Sequence, residues 1–289
     1  MSLPQRSRAA GRHARVAGAA AVGLALALCG CESFQIGGRT ATLTYTDDAR
    51  AAYGEALKAF KNKDWEDART LFKEVKRLFA YSRYARLAEL RLADIDFAQE
   101  KFTDAITAYR QFVQDHRNDP ELEYARYRTA KALFKDIDDT ILLPPAEERD
   151  QATAYDAYKE LRSLVRDYPS SRYKVDIAYM LDVVTGRLVR HELYVARYYL
   201  RQDEFKATIM RVDYALKYYP GSKLEPEALV LKGETLMKMK KLDEAREVFE
   251  SVRKDYGGMF TKTAERFLEE IRSKDPRAKG GGPPGGKAK

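Results

Sequence analysis

Between residues 47 and 271, large and small residues recur along the chain with the spacing of one helical face. In each copy a large residue is followed three positions later by a small one and four positions after that by another large one, so all three lie on the same side of an α-helix. Three copies are clear and two are looser: Trp65/Ala68/Phe72, Phe102/Ala105/Tyr109 and Leu242/Ala245/Phe249, then Ala154/Tyr158 and Phe205/Thr208/Val212. Because the small residue lets a neighbouring helix approach closely, the pattern predicts a series of packed helices.

Each of these segments is the second helix of a predicted hairpin, and a first helix with its own apolar stripe is predicted before it. In the first copy the stripe consists of Ala52, Tyr53, Ala56, Leu57 and Phe60. In the last copy it includes Leu229, Gly233 and Leu236, and we expect Gly233 to lie at a crowded helix crossing. Strand signals are limited to short Thr- and Val-containing stretches, so the predicted fold class is all-α.

The spacing of the copies identifies the type of repeat. Their small residues stand at positions 68, 105, 154, 208 and 245, which are 37, 49, 54 and 37 residues apart. Helix pairs that recur about every 34 residues are the signature of the tetratricopeptide repeat (TPR). We therefore predict a TPR superhelical solenoid of about five helical hairpins. The long intervals indicate insertions, an apolar loop at 141–145 and an elongated helix from Lys174 to Arg201.

The first thirty residues are predicted to be a signal peptide rather than part of this fold. A basic start is followed by an apolar run from Val16 to Leu28, which is shorter than the about 20 residues that a membrane span needs. The run ends in Leu28-Cys29-Gly30-Cys31, which resembles a bacterial lipobox, so Cys31 is the residue expected to carry the lipid. An ordinary secretory signal with a chance cysteine is the alternative.

The chain is thus predicted to have five segments. They are a lipoprotein signal peptide at 1–30, a lipidated flexible tether at 31–46, N-terminal repeats at 47–145, C-terminal repeats at 146–272 and a disordered basic Gly/Pro tail at 273–289. The formal net charge of +8 is concentrated in the first and last segments, and residues 31–271 are nearly neutral. A surface that binds nucleic acid is therefore not expected.

Residues suited to catalysis or to metal binding are few. His13 belongs to the signal peptide, and His116 lies near a predicted helix end, where an interaction with the helix dipole is the simpler role. His191-Glu192 resembles the start of a zinc-protease helix, but position 195 is valine, so two histidines cannot share that face. We therefore predict a protein that is not an enzyme and that needs no cofactor or metal.

Tyrosine and arginine are the residues that suggest binding. The chain has 19 tyrosines, many of them in pairs at predicted helix seams: Tyr124/Tyr127, Tyr155/Tyr158, Tyr198/Tyr199 and Tyr218/Tyr219. We interpret most of them as core residues whose hydroxyl reaches water. The others would form a peptide-binding groove beside a set of arginines, although these could equally be solvated: Arg83, Arg86, Arg126 and Arg128.

Together with the lipobox and the five hairpins, the segment 150–222 resembles the BamD family, lipoproteins of the outer-membrane β-barrel assembly (Bam) machine. The similarity covers roughly residues 45–255. It is carried most strongly by Ser171-Arg-Tyr173, Arg187-Leu-Val, the run from Glu192 to Tyr199, Phe205, Arg211 and Tyr219-Pro220. Two departures lie in the N-terminal repeats, where residues 78–82 replace a longer turn and Asp119-Pro120 stands where the family often has His-Pro.

The resemblance implies two partner-binding regions. The C-terminal repeats would dock on the POTRA domains of a BamA-like barrel insertase through Arg211 and Arg197, with Arg211 paired to an acid of the partner. For Arg211, a salt bridge between repeats is the alternative. The N-terminal repeats would receive the C-terminal targeting strand of unfolded outer-membrane proteins, and the candidate residues are Tyr53, Tyr81, Arg83, Tyr84 and Tyr124.

The resemblance also implies a location and further partners. The protein would be held by its lipid at the periplasmic face of the outer membrane of a Gram-negative bacterium, with other Bam lipoproteins as neighbours. A TPR lipoprotein that coordinates cell-wall or pilus and secretin assembly is a second possibility, because Tyr-Pro-x-Ser turns also occur in such arrays. A lipid-anchored enzyme would need a clustered polar site, which the sequence does not indicate.

Overall fold

The computed structural model describes residues 38–137 and 145–274. The chain divides into two units, at residues 1–43 and 44–289, and of the first unit only the start of one helix is described. The predicted signal peptide, Cys31 and most of the apolar loop at 141–145 lie outside the described residues.

Within the described residues the protein consists of eleven α-helices and no strand, which confirms the all-α prediction. The helices are α1 (Gly38–Asn62), α2 (Trp65–Leu78), α3 (Arg83–Ala98), α4 (Phe102–Asp115), α5 (Leu122–Asp136), α6 (Ala152–Asp167), α7 (Lys174–Arg201), α8 (Phe205–Tyr218), α9 (Glu225–Lys238), α10 (Leu242–Asp255) and α11 (Met259–Lys274). None of the described helices is long and apolar enough to cross a bilayer.

The five predicted hairpins are α1–α2, α3–α4, α5–α6, α7–α8 and α9–α10. In the second helix of each hairpin the small residue of the repeated pattern is buried. These residues are Ala68, Ala105, Ala154, Thr208 and Ala245. The first four of these helices also pack against the first helix of the next hairpin, so the repeats form a continuous stack. The helix α11, which the repeat pattern does not predict, follows the last hairpin and packs on α9 and α10.

Gly233 lies at a crowded crossing between α9 and α10, as predicted. A Cβ atom at this position would be only 2.4 Å from Cζ of Phe249, the large residue of the last repeat. Since no side chain fits in this gap, glycine is required for the two helices to reach their observed separation.

Four of the hairpins share one turn conformation. The second residue before the second helix has a left-handed backbone with φ near 60°, and the residues are Lys63, Glu100, Asp203 and Lys240. In each turn the next N–H donates a hydrogen bond to the carbonyl five residues earlier, which satisfies a carbonyl at the end of the first helix. The hairpin α5–α6 lacks this turn because the insertion that includes residues 141–145 separates its helices.

The tether prediction for residues 31–46 is wrong from Gly38 onward, because α1 already begins there. Threonine has a modest helix propensity, and from Tyr45 onward the helix is supported by contacts with the repeats. The Tyr45 ring lies 5.3 Å from the Phe79 ring, measured between centroids, and Ala49 is fully buried. At the other end, α11 continues to Lys274, so the first two residues of the predicted tail are helical.

The elongated helix of the sequence prediction is α7, whose 28 residues have the expected bounds. Its buried face belongs to the largest apolar core, which runs from Ile106 on α4 to Leu231 on α9. The repeats on both sides of the predicted 145/146 boundary therefore share one core.

Candidate functional site

Asp94 on α3 is a buried carboxylate on which side chains from three helices converge. It accepts hydrogen bonds of 2.5 Å from Arg91 Nη1, 2.5 Å from Tyr109 Oη and 2.7 Å from Tyr124 Oη, and it forms an ion pair of 3.1 Å with Arg128 Nε. We refer to these five residues as the Asp94 cluster. The cluster joins α3, α4 and α5 by polar contacts in the interior of the N-terminal repeats.

The charges of the cluster determine its protonation. Burial is the largest single influence and would lower the pKa of Arg91, but the Asp94 charge, Tyr124 and the hydrogen bond to Tyr53 together outweigh it, and the pKa is raised. Burial, reinforced by Asp94, raises the pKa values of Tyr109 and Tyr124 far above the ordinary value of 10.0. Both tyrosines therefore remain protonated donors at neutral pH, and two guanidinium groups share one carboxylate.

Aromatic rings surround the two arginines. The Arg128 guanidinium carbon lies 4.0 Å from the centroid of the Phe97 ring, and that of Arg91 lies 5.3 Å from the centroid of Tyr124. Arg91 Nε also donates a hydrogen bond of 3.2 Å to Tyr53 Oη on α1. Cation–π contacts of this kind stabilise a charge that has lost part of its water.

The N-terminal candidates from the sequence do not all lie together. Tyr53 and Tyr124 are linked through Arg91, and the buried Tyr84 packs on Tyr53 with a centroid distance of 5.6 Å. Arg83 lies over the Tyr84 ring at 5.2 Å. Tyr81, by contrast, is 96% exposed in the turn between α2 and α3 and has no ring contact within the described residues.

The four arginines grouped by the sequence analysis have different roles in the structure. Arg128 belongs to the Asp94 cluster. Arg126 ties α5 to α6 through Glu160 and Asp167, each at 2.8 Å. Arg86 pairs at 2.6 Å with Asp119, the residue that departs from the family pattern, and with Arg83 it lines a cavity of about 210 Å³.

The aromatic surface continues from the cluster toward the start of α7. Tyr173 lies 6.3 Å from Tyr124 between ring centroids and stacks on Tyr127 at 3.9 Å with parallel planes. Tyr127 Oη donates a hydrogen bond to Asp176, which also pairs with Lys131 Nζ at 2.8 Å. Tyrosines that follow one another on α1, α5 and the residue before α7 thus span several repeats.

Arg91 and Asp94 are functional candidates that the sequence analysis missed. The signal that could have identified them is an acid between the buried residues Ala93 and Ile95 on a predicted first helix, since a buried carboxylate requires a partner.

The C-terminal candidates Arg211 and Arg197 each pair with an acid of this chain. Arg211 Nη1 lies 3.2 Å from Oε2 of Glu192, whose side chain is only 8% exposed. This contact joins α8 to α7 within one hairpin, so it is an internal salt bridge, although not the salt bridge between repeats that was considered as the alternative. Arg197 pairs with Glu227 on α9. The two arginine side chains nevertheless remain 43% and 44% exposed.

The two remaining histidines have ordinary partners. His116 Nε2 lies 2.7 Å from Glu89 Oε2 at the end of α4, and His191 Nδ1 lies 2.7 Å from the carbonyl oxygen of Glu147. Across residues 38–137 and 145–274, no three His, Cys, Asp or Glu side chains are arranged to hold a metal ion.

Comparison with known proteins identifies the family to which this chain is similar. The chain matches the model of the YfiO family, described as an outer membrane lipoprotein, over residues 46–251. It is 27% identical over 211 residues to the outer membrane protein assembly factor BamD of Caulobacter vibrioides, covering 73% of this chain and 66%, just under two thirds, of that protein. It is 27% identical over 237 residues to BamD of Xylella fastidiosa strain Temecula1, covering 78% of this chain and 79% of that protein.

A relative from a third organism and one solved structure complete the comparison. BamD of Neisseria gonorrhoeae is 26% identical over 214 residues, covering 73% of this chain and 80% of that protein. The TPR2AB domain of yeast Sti1, solved in a complex, is 10% identical with a TM-score of 0.36, covering 78% of this chain and 97% of that chain.

Proposed function

Because this chain belongs to the YfiO family of outer membrane lipoproteins, which is the BamD family expected from its sequence, we propose that it is a non-enzymatic scaffold for the assembly of outer-membrane proteins. Its C-terminal repeats bind the POTRA domains of a barrel insertase, and its N-terminal repeats bind the targeting peptides of unfolded client proteins. A lipid on Cys31 holds it at the periplasmic face of the outer membrane, next to other lipoproteins of the same machine.

The observation that carries the docking part of this proposal is the exposure of Arg211 and Arg197. Each uses a single guanidinium nitrogen for its internal acid, Nη1 in Arg211 and Nη2 in Arg197. Since a guanidinium group has five N–H donors, the others are available to carboxylates of a partner. The internal acids hold the side chains in place, which lowers the entropy lost on binding.

The tyrosines between α1 and α7 support the peptide-binding part. Aromatic side chains offer a large contact area at a low entropic cost, and the hydroxyls of Tyr53 and Tyr124 are already bound to Arg91. An extended peptide with apolar side chains on one side fits a surface of this composition.

The test is affinity capture of the full chain from crosslinked bacterial membranes. We expect insertase peptides to be recovered with the wild type and to fall to about a tenth with a double Arg211→Gln, Arg197→Gln variant, because charge-assisted hydrogen bonds to carboxylates are about twice as strong as neutral ones. Arg253→Gln, an exposed arginine on α10, is the matched control. Recovery of peptidoglycan synthases or of secretin subunits instead would overturn the proposal in favour of the cell-wall or pilus function.

A further inference from the structure

The turn between α2 and α3 holds a large aromatic side chain almost completely in solvent. Tyr81 is 96% exposed, and Leu78 at the end of α2 is 51% exposed. The backbone of the turn is nevertheless fixed. The buried Ser82 accepts a hydrogen bond of 3.2 Å from the N–H of Ala85, and its own N–H donates one of 2.9 Å to the carbonyl oxygen of Phe79. Tyr81 is therefore held outward by an ordered turn.

The same region carries positive charge that the protein does not balance. From residue 75 to residue 88 the chain has four basic side chains and no acid. Lys76 and Arg86 pair with acids of this chain, whereas Arg77 and Arg83 are exposed and form no ion pair within residues 38–137 and 145–274. We refer to residues 77–83 as the Tyr81 turn. It combines exposed apolar side chains with two unpaired guanidinium groups.

The Tyr81 turn belongs to the more apolar edge of the stack. In a series of antiparallel hairpins, the turns that lead from a second helix to the next first helix lie at one edge. Six exposed large apolar side chains lie within two residues of a helix end at this edge: Leu78, Tyr81, Val165, Val175, Tyr218 and Met259. Among the residues that the structure describes, none of this kind lies so near a helix end at the opposite edge.

The proposed lipid on Cys31 is close to the Tyr81 turn along the chain. The Tyr45 ring lies 5.3 Å from the ring of Phe79, which is part of the turn. Position 45 is only 14 residues after position 31, so the two are at most about 50 Å apart in a fully extended chain, and the helical residues of α1 shorten this reach. Asn62, at the opposite edge, lies about 25 Å farther along α1. A bilayer that holds the lipid is therefore within reach of the turn.

We propose that the Tyr81 turn binds the surface of an anionic phospholipid bilayer. This inference rests on the lipid anchor of the proposed function and assigns to the protein a second contact with the same membrane. Tyr81 lies at the level of the headgroups, where amphipathic rings are enriched, and Leu78 reaches the boundary of the acyl chains. Arg77 and Arg83 pair with lipid phosphates, because basic groups are attracted to an anionic membrane surface.

The contact determines the orientation of the protein. A lipid attaches the chain at one point, and a single point of attachment leaves the stack of hairpins free to rotate above the bilayer. Because the lipid already holds the turn near the membrane, a weak second contact acts at a high effective concentration. It turns the edge that includes Tyr81 toward the lipid and the end of α1 at Asn62 away from it.

The test measures how close the turn lies to lipid headgroups in the full lipidated chain. Ala80→Cys introduces the single free thiol of the proposed mature protein, since Cys29 leaves with the signal peptide and Cys31 is lipidated, and a nitrobenzoxadiazole fluorophore labels it. The vesicles contain about three parts of phosphatidylcholine to one part of phosphatidylglycerol, with and without a lipid that carries a nitroxide quencher on its headgroup. Asn62→Cys carries the control probe. We expect quenching to be at least about fivefold stronger at position 80, because α1 separates the probes by about 25 Å.

Charge variants connect the quenching to the turn. Arg77→Gln combined with Arg83→Gln should lower the quenching at position 80 about fivefold or more, because each basic residue at an anionic surface favours the bound turn about fivefold. Lys61→Gln combined with Lys63→Gln removes two exposed charges at the opposite edge and should leave the quenching unchanged. Arg77→Lys combined with Arg83→Lys keeps the charges and should keep most of the quenching. Thermal unfolding followed by circular dichroism verifies that the variants are folded.

Flotation of the wild type with the vesicles separates this inference from the anchor on which it rests. If the chain does not float, the lipid on Cys31 fails, and the membrane contact fails with it. If the chain floats but positions 80 and 62 are quenched equally, or the Arg77→Gln, Arg83→Gln variant keeps the full quenching, the contact is overturned and the anchor stands. Crosslinking of position 80 to a protein instead of quenching by lipid would assign the turn to an acidic protein partner.

Discussion

Tyr109 Oη and Asp94 Oδ1 lie 2.5 Å apart, although the two residues belong to different helices of one hairpin and both are buried. Tyr109 is the large residue of the second repeat, a position that holds Phe72 in the first repeat and Phe249 in the last. At the position that holds phenylalanine in the first and last repeats, the second repeat thus has a tyrosine whose hydroxyl group binds the buried Asp94 carboxylate. The repeat places the aromatic ring, and the hydroxyl group makes Tyr109 part of the candidate site.

Removing that hydroxyl should destabilise the protein. Tyr109→Phe keeps the ring but takes one donor from Asp94, and a lost hydrogen bond to a buried charged group costs about 1.5–3 kcal/mol. Urea unfolding measures the change in the free energy of unfolding. Tyr155→Phe is the control, because the Tyr155 side chain is partly exposed on α6 and should change little. A Tyr109→Phe variant as stable as the wild type would contradict the role of this contact.

Stability should fall as the pH rises above 10. Tyr109 and Tyr124 have raised pKa values in the folded protein, first because of burial and then because of Asp94, while an unfolded tyrosine titrates near 10.0. Above that pH the unfolded chain loses protons that the folded protein retains, so each such tyrosine lowers the free energy of unfolding by up to about 1.4 kcal/mol per pH unit. Below pH 10 the two tyrosines make their full contribution to the free energy of unfolding.

The comparison that isolates Tyr109 is the pH dependence of the Tyr109→Phe variant. Its free energy of unfolding, measured in urea between pH 8 and about pH 11, should decline less steeply than that of the wild type. Identical slopes for the two proteins would show that Tyr109 titrates alike in both states.

A methyl group at position 233 should be poorly tolerated. Gly233→Ala places a carbon 2.4 Å from the Phe249 ring, and overpacking of a core costs about 1–3 kcal/mol. Gly54→Ala is a matched control within α1, where nothing lies within 4 Å of the new carbon and better helix propensity should add about 0.5–1 kcal/mol. Thermal melts of the two variants should show a lower melting temperature for Gly233→Ala and a higher one for Gly54→Ala. A second substitution, Phe249→Leu, should restore part of the stability that Gly233→Ala loses.

Glycine in a left-handed turn should stabilise the last hairpin. Lys240 has φ of 61°, a conformation that costs a side chain about 1 kcal/mol or more and costs glycine almost nothing. We expect Lys240→Gly to raise the free energy of unfolding by about 0.5 kcal/mol, because the larger conformational entropy that glycine loses on folding offsets part of the relieved backbone strain. Lys73→Gly, in the middle of α2, should lower it by about 1 kcal/mol. Two changes of the same sign would refute the explanation.

The hairpins could be predicted from the sequence because their signal is local. A residue such as Ala105 and its neighbours on the same helix repeat every three or four positions, and Gly233 marks a crossing wherever the pattern places it. The part of α1 around Tyr45 could not be predicted in this way, since the contact between Tyr45 and Phe79 joins positions far apart in the chain.

The Asp94 cluster was hidden for the same reason. Arg91 and Tyr124 are 33 positions apart, and Arg128 reaches Asp94 from a third helix, so no periodicity connects them. Arg126 and Arg128 are near neighbours in sequence, yet Arg126 joins α5 to α6 and Arg128 belongs to the Asp94 cluster. Which of two such residues faces a ligand depends on the helix face, and a difference of two positions turns the side chain by more than half of a helical turn.

The apolar core that extends from Ile106 to Leu231 has a practical consequence for dissecting the protein. A chain cut near residue 145 would leave Tyr127 and Leu133 on one fragment without Leu161 and Ile177 on the other, with apolar surface in water on both. The two proposed partner-binding regions therefore cannot be studied as independent halves, and a perturbation that loosens one is transmitted through shared packing to the stability of the other.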